Sequence, residues 1–334
     1  MNNIGINGFG RIGRSILRII VESNSDLNVI AINDLGDKET LSYLFKHDSI
    51  MGILNMNVEL EDDSLIVGDR KIKLISHSDP AEIPWSDLGV DLVVESTGFF
   101  RDKDSLDKHI SSGAKKVVLT VPPKDEIDAT IVLGVNDNSL NPDDKLISNA
   151  SCTTNCLAPI VKVLHENLGI IRGFMTTVHS YTGDQPTLDT MHSDLYRSRS
   201  AAMNMIPTST GAARAVGLVM PELDGKLDGV AIRVPTPNVS VVDLTFESAK
   251  STTQKEINSY IKKASFSDLK GILGFTEEKL VSMDFNHDPH SSIFAADQTK
   301  VLQNNMVRVL SWYDNEWGFS NRMSDTALEM AKLL

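Results

Sequence analysis

Cysteine, positive charge and long hydrophobic segments are all scarce in this sequence, and each shortage excludes a class of protein. Two cysteines in 334 residues exclude a disulfide-rich scaffold and favour a reducing compartment, so we expect a cytoplasmic location. The 32 Lys and Arg residues are outnumbered by 45 Asp and Glu, which gives a net charge of −13, whereas a general nucleic-acid-binding protein is basic. No apolar run is long enough for a membrane span, and no basic secretion signal opens the sequence, so we expect no membrane association.

The start of the sequence carries the pattern of a dinucleotide-binding fold. A short apolar strand over residues 4–7 leads into GFGRIG at positions 8–13 and then into an amphipathic helical run. A second apolar strand ends at Asp34, which lies 21 positions after Gly13 (34 − 13). Glycines at these positions let the backbone approach a pyrophosphate, and a carboxylate at the end of the second strand binds a ribose diol and repels a 2′-phosphate. The order strand, turn, helix, strand and acid therefore predicts NAD binding, against the alternative of a glycine-rich turn with a helix-capping Asp.

Further apolar strands are predicted over residues 91–98, 116–122 and 129–135, and they alternate with helical stretches. This alternation is typical of a parallel, doubly wound sheet. Ligands of such sheets bind beyond the carboxyl ends of the strands, which makes Ser96, Thr97, Gly98 and Thr120 cofactor-side candidates. Each of them fits ordinary turn chemistry equally well.

Cys152 and His179 are the candidate catalytic pair. A cysteine beside a histidine can attack a carbonyl carbon as a thiolate, and hydroxyl residues around Cys152 give way to apolar ones at Leu157, which predicts a thiol at the start of a helix. A buried, unreactive cysteine is the alternative. Cys156 follows four positions later without further ligand candidates beside the two thiols, so no metal site is expected.

The second half of the sequence predicts a different domain. Strand-like segments at 172–179, 227–234, 240–247 and 306–312 show alternating faces, as in a largely antiparallel sheet. A polar loop of about 28 residues, 180–207, separates two of them, and a loop of this length is usually functional. The predicted fold class is therefore α/β. Residues 1–150, joined by a C-terminal helix at 317–334, form a Rossmann-type doubly wound sheet, and residues 151–316 form an α+β substrate domain with a mainly antiparallel sheet.

Several long motifs occur in a fixed order along nearly the whole sequence. They are INGFGRIGR at 6–14, ESTGFF at 95–100, SNASCTTNCLAP at 148–159, TTVHSYTGDQ at 176–185, PTSTGAARAVG at 207–217, RVPTPNVSVVDLT at 233–245 and SWYDNEWGFSNR at 311–322. With these motifs the sequence resembles the phosphorylating glyceraldehyde-3-phosphate dehydrogenases. The resemblance implies the glycolytic oxidation of D-glyceraldehyde 3-phosphate to 1,3-bisphosphoglycerate with NAD+ and inorganic phosphate. It also implies a thiohemiacetal and a thioester on Cys152, an ion pair between Cys152 and His179, and a homotetramer.

The resemblance assigns a role to each further site residue. The cofactor-binding residues that it and the turn pattern imply are Gly8, Gly10, Arg11, Ile12, Gly13, Asp34, Ser78, Thr97, Thr120 and Asn315. Thr182 and Arg233 would hold the phosphate of the substrate, and Asn315 would bind the nicotinamide carboxamide. The site of the attacking phosphate would be formed by Ser151, Thr153, Thr210 and Gly211, with Arg197 nearby and Asp184 orienting Arg197.

The sequence also departs from the family pattern and leaves alternatives open. Ser78 stands where many members have an arginine near the adenine, and Phe319 stands where many have a tyrosine. The segment 188–192, LDTMH, is neither the Leu-Pro of many NAD-specific members nor the Ala-Ser of NADP-using ones, so some NADP use stays open. Erythrose-4-phosphate dehydrogenase is the alternative enzyme, and a non-enzymatic or redox-sensing role is the alternative class.

Overall fold

The chain divides into two compact units in a computed structural model that describes residues 2–23 and 25–334. The first unit comprises Met1–Ile131, Asn138–Ala150 and Ser320–Leu334, and the second comprises Val132–Asp137 and Ser151–Phe319. The sequence placed the division after residue 150 and the C-terminal return at residue 317. Segment 132–137, which the sequence assigned to the first domain, lies with the second unit.

The first unit is built from short strands and helices in alternation. In chain order they are β1 (Asn2–Asn7), α1 (Arg11–Glu22), β2 (Leu27–Asn33), α2 (Lys38–Lys46), β3 (His47–Asp48), β4 (Gly52–Ile53), β5 (Val58–Glu61), β6 (Ser64–Val67), β7 (Arg70–Ile75), α3 (Trp85–Leu88), β8 (Leu92–Glu95), α4 (Lys103–Ser111), β9 (Lys116–Leu119), β10 (Ala129–Thr130) and β11 (Leu146–Ser148), with short 3₁₀ helices at Pro80–Glu82 and Asp137–Ser139.

Nine of these strands form one sheet in the order β10-β11-β9-β8-β1-β2-β7-β6-β5. The pairings from β10 to β7 are parallel, and β5, β6 and β7 are joined by antiparallel pairing. Strand β1 lies between β2 and β8, so the connections turn to opposite sides of β1. A crevice at the carboxyl ends of the strands is the usual ligand site at such a reversal.

The central strands are buried because their apolar residues are covered on both faces. Val93 on β8 and Val117 on β9 are fully buried and pack with Trp85 of α3 and Leu106 of α4. Continuous apolar runs of this kind are typical of parallel strands with helices on both sides. The predicted strand at 129–135 is regular only over β10, because the backbone turns where Val135 N–H donates to Val132 O.

The second unit contains one large sheet and two long helices. Its elements are α5 (Cys152–Leu168), β12 (Ile170–Ser180), β13 (Ile206–Ser209), α6 (Val216–Val219), β14 (Leu227–Val234), β15 (Ser240–Ser248), α7 (Gln254–Phe266), β16 (Leu273–Thr276), β17 (Ser292–Ala295), β18 (Lys300–Leu302) and β19 (Met306–Tyr313), with 3₁₀ helices at Pro221–Leu223, Ser282–Phe285 and Ala296–Gln298. Helix α8 (Trp317–Ala331) follows.

The sheet of the second unit has the order β13-β14-β12-β15-β19-β17-β16, with β18 beside β19. Only β12–β14 and β16–β17 are parallel among the described strand pairs of this sheet. The predicted fold class is thus confirmed: a parallel-rich, doubly wound sheet in one unit and a mainly antiparallel sheet in the other. Helix α5 packs on α7, β17 and β19, which holds its first residue at a fixed place above the sheet.

Candidate active site

A cleft of about 560 Å³ lies at the carboxyl ends of the central strands in the first unit. Five of the predicted cofactor-binding residues line it, namely Gly8, Gly10, Asp34, Ser78 and Thr97, together with the candidate Ser96. The lining also contains residues that the sequence reading did not select, namely Asn7, Asn33, Leu35, His77, Phe99 and Phe100. Apolar and aromatic side chains beside a carboxylate suit an adenosine moiety.

Gly8, Gly10 and Gly13 in the turn each lack a side chain for a different structural reason. Gly8 has a φ of +90°, and a Cβ there would lie 2.6 Å from Thr97 N. A Cβ on Gly13 would lie 2.3 Å from Gly8 O, so this position needs close packing of helix α1 on the strand. A Cβ on Gly10 would meet no protein atom within 4 Å. The open space at Gly10, at the N-terminus of α1, fits a pyrophosphate of a dinucleotide.

The carboxylate of Asp34 is held rigidly at the end of β2. Its Oδ2 accepts from Phe9 N–H at 2.6 Å and its Oδ1 accepts from Gly36 N–H at 2.7 Å. Each oxygen still has acceptor capacity, because an ionised carboxylate accepts at about four sites. The geometry fits the binding of a ribose diol at the cleft edge.

The other predicted cofactor residues are placed differently. Arg11 begins α1 and forms a bidentate ion pair with Asp48, at 3.0 and 3.2 Å, so its guanidinium is engaged within the protein. Ile12 lies in the first turn of the same helix. Thr120 is buried at the end of β9, where its N–H donates to Glu95 O. It is not among the described residues that line the cleft.

Beneath the cleft lies a buried polar network that the sequence did not predict. Glu95 is fully buried at the end of β8 and accepts from Asn7 Nδ2 and from Thr97 N–H. Its Oε2 lies 3.1 Å from Nε2 of His109, and Trp85 Nε1 donates to His109 Nδ1 at 3.0 Å. An indole N–H can only donate, so Nδ1 is the acceptor and Nε2 carries the proton toward the carboxylate. The network fixes the loop that holds Thr97.

In the second unit the thiol of Cys152 and the imidazole of His179 face each other. Sγ lies 3.6 Å from Nε2, within the range of a sulfur hydrogen bond. Cys152 is the first residue of α5, and Ser151 caps this helix by accepting from Thr154 N–H at 3.0 Å. The predicted loop-to-helix arrangement is therefore present, and the positive end of the helix dipole lies at the thiol.

Cys152 and His179 lie in a strongly desolvated environment, in which Arg233 is the dominant positive charge. Burial raises the pKa of the Cys152 thiol, while the Arg233 guanidinium and hydrogen bonds from Thr153 lower it. Burial and then Arg233 lower the pKa of His179 to about 3. Burial therefore favours the uncharged pair, and Arg233 favours the thiolate and disfavours the imidazolium. The ion pair expected between Cys152 and His179 stays a prediction.

Strand register explains how Arg233 reaches His179. The two residues are partners in the parallel pairing of β12 and β14. Arg233 Nη1 lies 2.7 Å from His179 Nδ1 and 2.9 Å from Ser180 O, and Nδ1 itself lies 2.7 Å from Ser180 O. A neutral imidazole nitrogen either donates or accepts. The two contacts of Nδ1 select different tautomers. A guanidinium only donates, so when Nδ1 accepts from Arg233 Nη1 the ring proton is on Nε2 and faces the sulfur. When Nδ1 instead donates to Ser180 O, Nε2 presents its lone pair to the thiol, as a base requires.

Tyr313 contacts the imidazole of His179 and was not predicted as a site residue from the sequence. Tyr313 is buried at the end of β19, and its ring lies edge-on to His179 with centroids 5.9 Å apart. Its hydroxyl lies 2.8 Å from Thr153 Oγ1 and 2.9 Å from Thr177 Oγ1. The hydroxyl of Thr153 is thus engaged with Tyr313.

The predicted phosphate residues form two neighbouring groups. Arg197 donates from Nη1 to Asp184 Oδ2 at 2.9 Å and from Nε to Thr208 Oγ1 at 3.1 Å. Thr182 Oγ1 donates to Asp184 as well. The positive charge of Arg197 lowers the pKa of both Arg233 and His179, so the two guanidinium groups act on the same region. Asp184 holds Arg197 as the resemblance implied, and Thr208 is an additional support.

The remaining hydroxyl candidates hold local structure. Ser151 Oγ caps α5, and Thr210 Oγ1 accepts from Ala212 N–H at 3.2 Å. Thr154 Oγ1 donates to Ala212 O at 3.3 Å, which ties the start of α5 to the turn at Thr210 and Gly211. The structure therefore brings the four predicted residues of the attacking-phosphate site to one region of the second unit.

The described residues contain neither a metal-binding cluster nor a membrane-spanning helix. Residues 2–23 and 25–334 contain no group of three or more His, Cys, Asp or Glu side chains that could hold a metal ion. Within the same residues, no helix has both the length and the apolar character needed to cross a bilayer.

A doubly wound sheet with a dinucleotide-type turn, in a chain that also carries a thiol beside an imidazole, is the architecture of NAD-dependent dehydrogenases. Two family models match the chain: "Glyceraldehyde 3-phosphate dehydrogenase, NAD binding domain" over residues 2–103 and the C-terminal domain of the same enzyme over residues 151–315. The chain belongs to the glyceraldehyde-3-phosphate dehydrogenase family and is an NAD-dependent oxidoreductase.

Curated relatives agree with this assignment along the full chain. A glyceraldehyde-3-phosphate dehydrogenase of Cereibacter sphaeroides is 60% identical over 332 residues, which cover 99% of each chain. One of Xanthobacter flavus is 58% identical over 331 residues, covering 99% of this chain and 98% of the relative. One of Borreliella burgdorferi is 54% identical over 336 aligned positions, covering 98% and 99%.

Proposed function

We propose that the chain catalyses the oxidative phosphorylation of D-glyceraldehyde 3-phosphate to 1,3-bisphosphoglycerate, with NAD+ and inorganic phosphate as co-substrates. The observation that carries the proposal is the 3.6 Å approach of Cys152 Sγ to His179 Nε2 at the N-terminus of α5. This arrangement supplies a sulfur nucleophile, a base and a helix dipole that stabilises negative charge.

In the first step the sulfur of Cys152 forms a bond to the aldehyde carbon. The thiol proton passes to His179 Nε2 and from there to the aldehyde oxygen, which becomes the hydroxyl of a thiohemiacetal and leaves the imidazole neutral. His179 then accepts the hydroxyl proton as the carbon is oxidised to a thioester. NAD+ would supply the acceptor for the hydride that leaves this carbon.

In the second step a phosphate oxygen attacks the thioester carbon and the sulfur of Cys152 leaves as thiolate. Arg197 and Arg233 provide the positive charge that two phosphate groups require, and arginine forks match phosphate oxygens well. The described hydrogen bonds of the Arg233 side chain all use Nη1. Thr182 and Arg233 would then hold the phosphate of the substrate, and Ser151, Thr153, Thr210 and Gly211 the attacking phosphate.

We infer a preference for NAD over NADP from Asp34. Its carboxylate is fixed by Phe9 N–H and Gly36 N–H, and a fixed negative charge repels a 2′-phosphate. Ser78 lines the cleft but supplies no positive charge that would attract one.

We also infer a cytoplasmic location. Both cysteines are free thiols, which suits a reducing compartment.

We further infer that the chain forms a homotetramer. The second unit exposes several large apolar side chains on its sheet and its long loop, namely Phe174, Leu188, Met191, Leu195 and Val230. Large apolar side chains exposed in this number support association. Light scattering coupled to gel filtration tests this, and an active, stable monomer would contradict it.

One assay tests the reaction itself. NADH formation is followed with glyceraldehyde 3-phosphate in the presence and absence of inorganic phosphate, for the wild-type chain and for Cys152→Ser. We expect rapid, phosphate-dependent turnover only in the wild type. Faster turnover with erythrose 4-phosphate, without dependence on inorganic phosphate, would favour erythrose-4-phosphate dehydrogenase instead.

A further inference from the structure

Two buried serine hydroxyls converge on one oxygen of Asn315. Ser180 Oγ and Ser240 Oγ each lie 2.8 Å from Asn315 Oδ1. Ser180 is the last residue of β12 and Ser240 the first of β15, two strands that pair in the sheet of the second unit. Both serines are almost completely buried, at 0% and 1% exposure.

The protons of these hydroxyls determine how the amide of Asn315 is oriented. Ser240 Oγ accepts from Ser180 N–H at 3.0 Å, so its single proton is free to be donated to Asn315. Ser180 Oγ donates its own proton to the same oxygen. Oδ1 between the two serines gives both hydroxyl protons an acceptor, which an amide nitrogen cannot do because it carries only donors. With the amide rotated by 180°, Nδ2 would donate to both serine oxygens, and among the described contacts each buried hydroxyl proton would have only the other serine oxygen, 3.4 Å away, as an acceptor.

With Oδ1 occupied in this way, the amide nitrogen of Asn315 is left for a ligand. Among the described residues, Nδ2 has no hydrogen-bond partner, and it is not fully buried. Ser180 also contacts the catalytic imidazole, because its carbonyl oxygen lies 2.7 Å from His179 Nδ1. One residue thus touches the imidazole through its carbonyl group and Asn315 through its hydroxyl group.

We propose that Ser180 and Ser240 are positioning residues that lock Asn315 with Nδ2 outward, as a hydrogen-bond donor for the carboxamide oxygen of the nicotinamide. This inference rests on the proposed function, in which Asn315 binds the carboxamide. The serines act only through Asn315. Their removal weakens binding of the nicotinamide half of the cofactor and leaves binding of the adenosine half unchanged.

The test measures binding without turnover. The dissociation constants of NAD+ and of ADP-ribose, which lacks the nicotinamide, are determined by calorimetry for the wild type and for Ser180→Ala/Ser240→Ala. We expect the constant for NAD+ to rise about tenfold and that for ADP-ribose to stay within twofold, because one charge-free hydrogen bond loses its fixed geometry. The matched control is Ser292→Ala/Ser311→Ala. It removes another buried serine pair of the same sheet, whose hydroxyls lie 2.7 Å apart, and should change neither constant.

Asn315→Ala provides the second arm. In that background the serine substitutions should have no further effect on NAD+ binding, since the amide through which they act is gone. The single variants Ser180→Ala and Ser240→Ala replace the double variant if it does not fold. An unchanged NAD+ constant in the serine variants, or an equal loss for NAD+ and ADP-ribose, overturns the inference. A wild-type chain that binds neither compound would instead overturn the proposed function.

Discussion

Arg233 and His179 are neighbours on two parallel strands, and the guanidinium nitrogen Nη1 lies 2.7 Å from the imidazole nitrogen Nδ1. A fixed positive charge at this distance disfavours an imidazolium and favours a thiolate at Cys152. The same guanidinium is a proposed ligand of the substrate phosphate. An anion bound at Arg233 would therefore reduce the positive field at the imidazole and make His179 a better proton acceptor.

Replacing Arg233 with Leu should change the titration of both catalytic groups. Arg233 lowers the pKa of Cys152 and of His179, so the pKa of each group should rise in the variant. The pH dependence of Cys152 alkylation by iodoacetamide measures the thiol directly, and its midpoint should move to higher pH. Arg199→Leu is the control, because Arg199 pairs with Asp189. A midpoint that stays in place in the Arg233 variant would refute the electrostatic role.

The two cysteines should differ sharply in function. Cys152→Ser should lower the dehydrogenase rate by about 10³-fold or more, because the oxygen nucleophile is far less ionised and its ester retains less energy for phosphate transfer. Cys156 is buried, and burial raises its pKa to about 12. Cys156→Ser should therefore keep most of the activity. Mass spectrometry after brief iodoacetamide treatment should find the label on Cys152, and a label mainly on Cys156 would contradict this assignment.

Asp34→Asn should weaken the discrimination between NAD and NADP. The amide keeps one oxygen for Phe9 N–H or Gly36 N–H but removes the negative charge that repels a 2′-phosphate. We expect the ratio of kcat/KM for NADP to that for NAD to rise about tenfold. Asp37→Asn is a matched control, because Asp37 is an exposed cap of α2 three positions away. Equal use of both cofactors by the wild type would show that Asp34 does not set a preference.

His109→Leu should destabilise the protein strongly. The substitution leaves Glu95 buried without one of its donors and leaves Trp85 Nε1 without its acceptor. A buried polar group left without its partner costs about 1–3 kcal/mol of unfolding free energy, and more when the group is charged, and the substitution leaves two such groups. Urea denaturation measures this, with Lys115→Leu as a control that breaks only the surface ion pair with Asp91 and should cost less than about 1 kcal/mol. Equal losses in the two variants would contradict the importance of the buried network.

Local sequence patterns identified the elements whose chemistry depends on neighbouring residues in the chain. The turn at positions 8–13 and the thiol at the start of α5 were predicted because strand, glycine, helix and cap signals lie side by side. The strand at 129–135 was predicted too long, because the turn at Val132–Val135 has no glycine or proline signal before Gly134. His109 and Trp85 were missed because a lone histidine on a helix and a lone tryptophan carry no functional pattern.

The sequence by itself determined the order of the elements, the identity of the nucleophile and the acid that follows the second strand, because these follow from periodicity and from spacings of fewer than about 30 residues. Only the tertiary structure decided which residues surround His179. Arg233, Ser240, Tyr313 and Asn315 lie more than 50 positions away in the sequence. Through the pairing of β12 with β14 and β15 and of β15 with β19, Arg233 and Tyr313 reach the imidazole, and Ser240 and Asn315 contact the adjacent Ser180. Strand register is set by the packing of the whole sheet, and no local pattern records which residue of one strand will face which residue of the next.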